Sequence, residues 1–176
     1  YNQMTRVVLM TIAMTFCVTT VFDSPLGPLY VRHNGVAMHQ LSYQHDTDTA
    51  FDHPMPATWS HILLDYFAGE FDRIDQLPIQ LHSGTAFQQA VWLALRHIPA
   101  GTTISYRELA QQINRPLAVR AVGQALKRNP LPIVLPCHRV IRQSGDLGGY
   151  SGVSDMGQSR KRFLLWHEGA YPQSTP

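Results

Sequence analysis

The chain has 176 residues, of which 44% are hydrophobic and 15% are charged, a composition that predicts a globular protein and excludes a disordered one. The net charge of +2 is unevenly distributed, since residues 1–83 carry three Lys/Arg and eight Asp/Glu, whereas residues 84–176 carry eleven and four. The second half therefore suggests a surface for a polyanion, although a basic face without a partner would have the same composition.

The first residues give little structural information. Three methionines follow Tyr1 before residue 15, so residues 1–13 could be an extension or a tag. The apolar run 7–18 lacks a small-x-small cleavage site and is too short to cross a membrane, so we expect neither a signal peptide nor a span. Because Cys17 and Cys137 are far apart and no histidine lies in an HxH or HExxH pattern, we expect reduced thiols and no metal site.

The first half is predicted to begin as an antiparallel meander and to continue as a helix. Alternating and β-branched residues predict strands over 16–22, 28–32 and 36–43. Asn34-Gly35, between the last two strands, is typical of a type I′ hairpin turn. Apolar residues at helical spacing predict a helix over 59–67, after which an acidic, irregular segment separates the two halves.

The second half is predicted to be mainly helical, with helices over 85–97, 105–113 and 118–128. Ser105 and Glu108 have the spacing of a capping box at the start of the second of these helices. The third helix is basic and follows the second after a tight turn. Such a pair is typical of a helix-turn-helix unit and also of a helical hairpin within a core, so both interpretations stay open.

The most informative stretch is Leu135–Ile141, in which a cysteine follows a rigid proline and precedes two side chains that can carry positive charge. A neighbouring cation lowers the pKa of a thiol, so Cys137 beside His138 and Arg139 is a candidate nucleophile. An inert cysteine in an apolar strand is the alternative. In a strand, Cys137 and His138 would lie on opposite faces, so their pairing requires a bend or a bridging water.

Several short motifs occur in a characteristic order in the second half. They are Gly84–Gln88, Val91-Trp92, Ile98-Pro99, Ser105-Tyr106, Ala118–Gly123, Asn129-Pro130, Pro136–Arg139 and Gly148–Tyr150. Together they resemble the O6-alkylguanine-DNA alkyltransferases, also called methylated-DNA-protein-cysteine methyltransferases, most closely over residues 84–169. The first half resembles the variable N-terminal domain of this family more loosely, through Phe22–Leu29 and Tyr66–Gly69.

The resemblance implies an α+β fold with two domains and a DNA-repair function. Residues 1–83 would form an α/β, ribonuclease H-like supporting domain, and residues 84–176 a mainly helical, winged helix-turn-helix alkyltransferase domain. Cys137 would take the alkyl group from O6-alkylguanine, with O4-alkylthymine as a second candidate substrate. No cofactor is implied, and each molecule would act once because a thioether has no easy leaving route.

The implied partner is double-stranded DNA that contains an alkylated guanine, bound on its minor-groove side. The protein would be a monomer, with cooperative assembly along DNA left open and no role for a membrane. It would act in the cytoplasm, at the nucleoid, or in the nucleus if the source is eukaryotic.

The resemblance also implies catalytic roles. Glu168 would orient His138, which through a water would remove the proton of Cys137, as in other acid-histidine-nucleophile arrangements. Asn129 would connect the DNA-binding helix to the active-site turn.

Substrate contacts are implied for four residues. Attack on the base would require the damaged nucleotide to be flipped out of the duplex. Tyr106 would push the phosphate during this flipping and would donate a hydrogen bond to the flipped base. Val140 would offer its carbonyl to the guanine amine, and Tyr150 and Ser151 would line the pocket.

The DNA-binding set implied by the resemblance is Tyr106, Arg120, Ala121, Lys127 and Arg128. Arg120 would fill the space left by the flipped base, and small residues such as Ala121 and Ala125 would allow the helix to approach the minor groove closely.

One departure from the family pattern is the separation of two usually adjacent glycines by Val153–Met156, which could alter the alkyl groups that fit. Three other functions stay open. A lesion-binding relative without transfer activity would lack the cysteine, and a transcription regulator would not need Pro136–Arg139 or Glu168. A thiol hydrolase would turn over and would leave the basic helix unexplained.

Overall fold

The computed structural model describes residues 17–45, 54–150 and 155–171, which form two compact units. The first unit contains the described residues up to Ala68 together with Asp72–His82, and the second contains Gly69–Phe71 and the described residues from Ser83 onward. Helices combined with two small sheets confirm the α+β class. The predictions for residues 1–16 and for Ser151 lie outside the described residues. No helix in the described ranges has the length and apolar character that crossing a membrane requires.

The first unit is built on a three-stranded antiparallel sheet in the order β1 (Val18–Ser24), β2 (Gly27–His33) and β3 (Met38–Ser42). Helix α1 (Ala57–Phe67) and a 3-10 turn (Ile74–Gln76) follow. One face of α1 is buried, as its apolar spacing predicts; its buried residues are Trp59, Ile62, Leu63 and Tyr66. The predicted meander and helix are therefore confirmed.

The predicted type I′ turn at Asn34-Gly35 is wrong. His33 pairs with Met38, so the connection between β2 and β3 is the four-residue loop 34–37. The Asn34 Oδ1 atom accepts hydrogen bonds, both 2.9 Å long, from the N–H groups of the two residues after Gly35. The Asn34 side chain thus supplies an acceptor for the backbone of the loop, which favours a connection longer than the two-residue turn.

The second unit contains four α-helices. They are α2 (Ala86–Ala94), which continues as the 3-10 turn Leu95–His97, α3 (Tyr106–Gln112), α4 (Val119–Lys127) and α5 (Asp155–His167). Helices α2 to α4 lie within a few residues of their predicted bounds. Two short strands, β4 (Ile104–Ser105) and β5 (Val140–Ile141), pair in parallel.

Local hydrogen bonds define the starts of α2 and α3. Ser105 and Glu108 form the predicted capping box, with the Ser105 N–H donating to Glu108 Oε2 at 2.6 Å and the Glu108 N–H donating to Ser105 Oγ at 3.1 Å. Thr85 and Gln88 form a second capping box at α2. Both helices therefore begin where their own sequence provides partners for the first N–H groups.

Trp92 connects α2 to α4. Its buried Nε1–H donates a 2.8 Å hydrogen bond to the Ala125 carbonyl, and a Cβ at Gly84 would lie only 2.5 Å from the Trp92 ring. Ala125 is only 1% exposed, so the expectation that it approaches DNA is wrong. It lies on the core side of α4, whereas Ala121 lies on the exposed side.

Candidate active site

Cys137 lies in a 3-10 turn rather than in a strand. The turn spans Cys137–Arg139 and leads directly into β5. It lies near the end of a run of ten buried residues, 131–140. Pro136 has no N–H for a strand ladder, and its carbonyl accepts the Arg139 N–H at 3.0 Å, which closes the turn. The strand geometry assumed from the apolar sequence is therefore wrong, and the turn supplies the bend that a Cys137-His138 relay needs.

The Asn129 side chain holds the segment that leads to Cys137. Its Nδ2 donates to the Leu135 carbonyl at 2.7 Å, and its Oδ1 accepts the Leu131 N–H at 3.0 Å. Its amide also hydrogen-bonds the Cys137 thiol, which favours the thiolate. The Asn129 side chain, two residues after α4, thus holds the backbone before the turn and lowers the pKa of the thiol that follows.

Glu168 makes three hydrogen bonds to the active-site turn. Its Oε1 lies 2.8 Å from His138 Nε2 and 2.8 Å from Arg139 Nη2, and its Oε2 accepts from Arg139 Nε at 2.8 Å. Because a carboxylate only accepts, the His138 proton lies on Nε2 and Nδ1 has a free lone pair. His138 Nδ1 is buried and has no hydrogen-bond partner among the described residues. This atom is the one that could accept a proton.

The pKa shifts favour a neutral thiol beside a neutral imidazole in the resting protein. Burial raises the pKa of Cys137, although Asn129 and the Lys161 charge oppose that shift. Burial lowers the pKa of His138 despite the opposing charge of Glu168. Burial alone would raise the pKa of Glu168, but contacts with His138 and Arg139 outweigh it and hold this pKa well below its usual range. Glu168 is therefore ionised and offsets the charge of Arg139.

Lys161 adds a positive charge that no described carboxylate balances. Its side chain is fully buried in α5, and Nζ donates a 2.6 Å hydrogen bond to the Val140 carbonyl. Burial lowers the pKa of Lys161 to about 8, although an electrostatic interaction with Cys137 favours the charged form. A thiolate at Cys137 would neutralise this cation, so the site is electrostatically prepared for a negative sulfur.

Cys137 opens onto a cavity of about 710 Å³ in the second unit. Tyr106 and Tyr150 line it, and its cationic lining residues are Lys127, Arg142 and Arg162. Burial and the neighbouring Cys137 raise the pKa of Tyr106, so its hydroxyl stays protonated and can donate a hydrogen bond. A cavity of this size accommodates a nucleobase and has cations suited to a phosphate.

The three predicted substrate residues that the structure describes divide into two groups. Tyr106 and Tyr150 line the cavity together with Cys137. Val140 does not line it, and its carbonyl already accepts from Lys161, although a carbonyl oxygen has a second lone pair.

The predicted DNA-binding residues of α4 lie on one side of the helix. Arg120, Ala121, Lys127 and Arg128 are all exposed. They recur at helical spacing, whereas the intervening Val122 is buried.

Sequence reasoning missed Lys161 and the position of Arg139. A pattern for Lys161 was present, because it shares the helical spacing of the buried residues Gly157, Leu164 and Leu165. Arg139 was expected to act on the thiol, but its guanidinium binds Glu168 and the Ile98 carbonyl instead. No local pattern reveals that pairing, since the partners are distant in sequence.

Residues 86–170 match a family model described as "6-O-methylguanine DNA methyltransferase, DNA binding domain". The methylated-DNA--protein-cysteine methyltransferase of Salmonella typhimurium is 42% identical over 162 residues, covering 83% of this chain and 92% of that protein. The Mycobacterium tuberculosis protein of the same name is 46% identical over 149 residues, covering 81% and 87%.

Solved structures show the same similarity. The structure of Mycobacterium tuberculosis O6-methylguanine methyltransferase has a TM-score of 0.76 and 38% identity, and the match covers 91% of this chain and 97% of that one. Mycobacterium tuberculosis OGT in complex with DNA has a TM-score of 0.75 and 42% identity, covering 86% and 92%. The similarity therefore extends over most of the chain.

Proposed function

The chain belongs to the methylated-DNA–protein-cysteine methyltransferase family, and we propose that Cys137 is its alkyl acceptor. The protein repairs alkylated DNA by transferring the alkyl group to a cysteine of its own. One observation carries the assignment of Cys137: its side chain lines the cavity of the second unit, and a buried base, a carboxylate and a cation surround it. Cys17 belongs to the other unit and has no comparable surroundings among the described residues.

The reaction begins with removal of the thiol proton. A water between Cys137 and His138 Nδ1 carries the proton to the imidazole, and Glu168 stabilises the resulting imidazolium through the 2.8 Å contact at Nε2. Lys161 stabilises the thiolate by its charge. The two developing charges, one on sulfur and one on the ring, thus each have a partner of opposite sign.

The thiolate then displaces guanine from the alkyl carbon. The S–C bond forms as the C–O6 bond breaks, and its electron pair passes to the guanine O6, where the Tyr106 hydroxyl donates a hydrogen bond to the base. The guanine anion then takes up one proton and the His138 imidazolium releases one, so the thiol proton is balanced by the proton on the repaired base. Val140 offers its second carbonyl lone pair to the guanine amine, and Tyr150 and Ser151 wall the base. The alkyl group has no easy route off the thioether sulfur of Cys137, so each protein molecule acts once.

Attack on a base atom requires the nucleotide to leave the duplex, at a cost of a few kcal/mol. Arg120 is exposed and makes no ion pair within the described residues. Its side chain is therefore available to enter from the minor groove and fill the space that the flipped base leaves in the base stack. Lys127 and Arg128 bind phosphates, and Ala121 permits close approach of α4. Binding is therefore salt-dependent and tolerant of sequence.

The remaining parts of the proposal concern context. The protein acts as a monomer on duplex DNA, in the cytoplasm at the nucleoid, or in the nucleus if its source is eukaryotic. Residues 1–83 act as a supporting domain for the alkyltransferase domain in residues 84–176.

The test is incubation with duplex DNA that contains one O6-methylguanine. Intact and peptide mass spectrometry should find one methyl group per protein, on Cys137. The variant Cys137→Ser should bind the duplex without gaining mass, and Cys17→Ser should react like the wild type. A methyl group at any other residue, or more than one DNA repaired per protein, would refute the proposal.

A further inference from the structure

Leu117 is the most exposed large apolar residue in the described part of the chain, at 99% exposure. A single exposed leucine is ordinary on a protein surface, so exposure alone has no functional meaning. Its position is unusual, however, because it lies in the turn between α3 and α4, immediately before the basic helix.

The turn holds Leu117 in place. The Ala118 N–H donates to the Arg115 carbonyl at 2.9 Å, so residues 115–118 form a closed turn with Pro116 in its second position and Leu117 in its third. The Arg115 N–H in turn donates to the Ala110 carbonyl at 2.8 Å, which ties the turn to the end of α3. The leucine is therefore presented to solvent by a fixed backbone.

Leu117 also continues the exposed face of α4. The exposed positions at helical spacing are Leu117, Arg120, Ala121, Gln124, Lys127 and Arg128. Leu117 is the one large apolar side chain of this set, and it lies one turn before Arg120. Arg115, also exposed, adds a cation beside it.

From this arrangement we propose that Leu117 is a second wedge, which inserts from the minor groove against the base step next to the one that Arg120 fills. The proposal rests on the proposed function of α4. Proteins that bind the minor groove commonly place an apolar side chain between partly unstacked bases and surround it with cations for the phosphates. The cations beside Leu117 favour DNA over a second copy of this chain, because two such basic faces would repel each other.

The experiment compares transfer from a lesion-containing duplex with transfer from free O6-benzylguanine, which needs no flipping. Leu117→Ala should slow transfer from the duplex about tenfold, equivalent to about 1.4 kcal/mol, and leave the free-base reaction unchanged. Leu117→Met should restore the duplex rate, and Leu93→Ala, which shortens an exposed leucine of α2, should have no effect. The fluorescence of 2-aminopurine beside the lesion should rise more slowly with Leu117→Ala.

Arg120→Ala separates this inference from the proposed function. If Arg120→Ala slows the duplex reaction and Leu117→Ala does not, the wedge is refuted and the proposed function stands. If neither has an effect, the assignment of α4 to DNA binding is wrong, and the wedge with it. If Leu117→Ala slows the reaction with free O6-benzylguanine as much as the duplex reaction, Leu117 has a structural role. If the variant changes only the cooperativity of binding along DNA, Leu117 is a contact between copies of the protein. Either result overturns the wedge.

Discussion

Replacement of Glu168 by glutamine tests how the buried relay is held together. Glu168 and Arg139 are 6% and 4% exposed, and the three hydrogen bonds from the Glu168 carboxylate to His138 and Arg139 are each 2.8 Å long. Removing one member of a buried ion pair costs about 3 to 5 kcal/mol because the other charge is left uncompensated. Since glutamine keeps one acceptor oxygen, we expect Glu168→Gln to lose about 3 kcal/mol of unfolding free energy, near the lower end of that range.

An exposed ion pair provides the matched control. Arg73 and Asp65 are 3.0 Å apart with side chains 49% and 38% exposed. Such pairs contribute less than about 1 kcal/mol, so Asp65→Asn should have a small effect. In the double variant Glu168→Gln with Arg139→Met, the charge left behind is also removed. That variant should be less destabilised than Glu168→Gln alone.

The same substitution should change the response to acid. The pKa of Glu168 lies below its usual range in the folded protein, so the unfolded chain binds its proton first as the pH falls. Glu168 therefore stabilises the fold above its unfolded pKa of about 4.3, and this contribution decreases as the pH falls through that value towards the folded pKa. The stability of Glu168→Gln should consequently fall less between about pH 7 and about pH 3 than that of the wild type.

Urea unfolding followed by far-ultraviolet circular dichroism at several pH values measures both effects. The reasoning would be refuted by a loss below about 1 kcal/mol at neutral pH, the level of an exposed pair. An acid slope equal to that of the wild type would refute the assignment of the depressed pKa.

Two further predictions concern the nucleophile and its cavity. Lys161→Met removes the buried cation that lowers the pKa of Cys137, so the pH profile of Cys137 alkylation by free O6-benzylguanine should shift upward, and an unchanged profile would contradict the role of the charge. Gly148→Ala would place a Cβ 2.6 Å from the Tyr106 hydroxyl, so transfer from duplex DNA should slow by about tenfold or more. Gly145→Ala, at a similar positive φ but in open space, should affect only stability, and equal rates for the two variants would argue against the contact.

The elements that could be predicted from the sequence are those specified by nearby residues. The capping box of Ser105 and Glu108 and the apolar spacing of α1 contain their own structural information, so the local sequence is sufficient. The strands of the first unit were predictable for the same reason. The loop at Asn34 was not, because a side-chain hydrogen bond there replaces the usual turn.

The candidate site was predictable only in part. The apolar, β-branched sequence around Cys137 favours a strand, but the lack of an N–H at Pro136 and the Arg139 hydrogen bond produce a turn. The contacts of Glu168 with His138 and Arg139 span about thirty residues, a separation that no local pattern covers. The resemblance to a family supplied the Glu168 relay, but it supplied neither the Arg139 pairing nor the buried Lys161.

The buried residues 131–140 tolerate substitution less well than the exposed surface around them. Cys137 lies in a segment whose every residue is packed, so a substitution there changes folding stability together with reactivity. The exposed side of α4 and residues 142–146 carry no such constraint. As the protein diverges over evolutionary time, its DNA contacts and accepted lesions can therefore change at the surface, while the packing around Cys137 remains constrained by the requirement to fold.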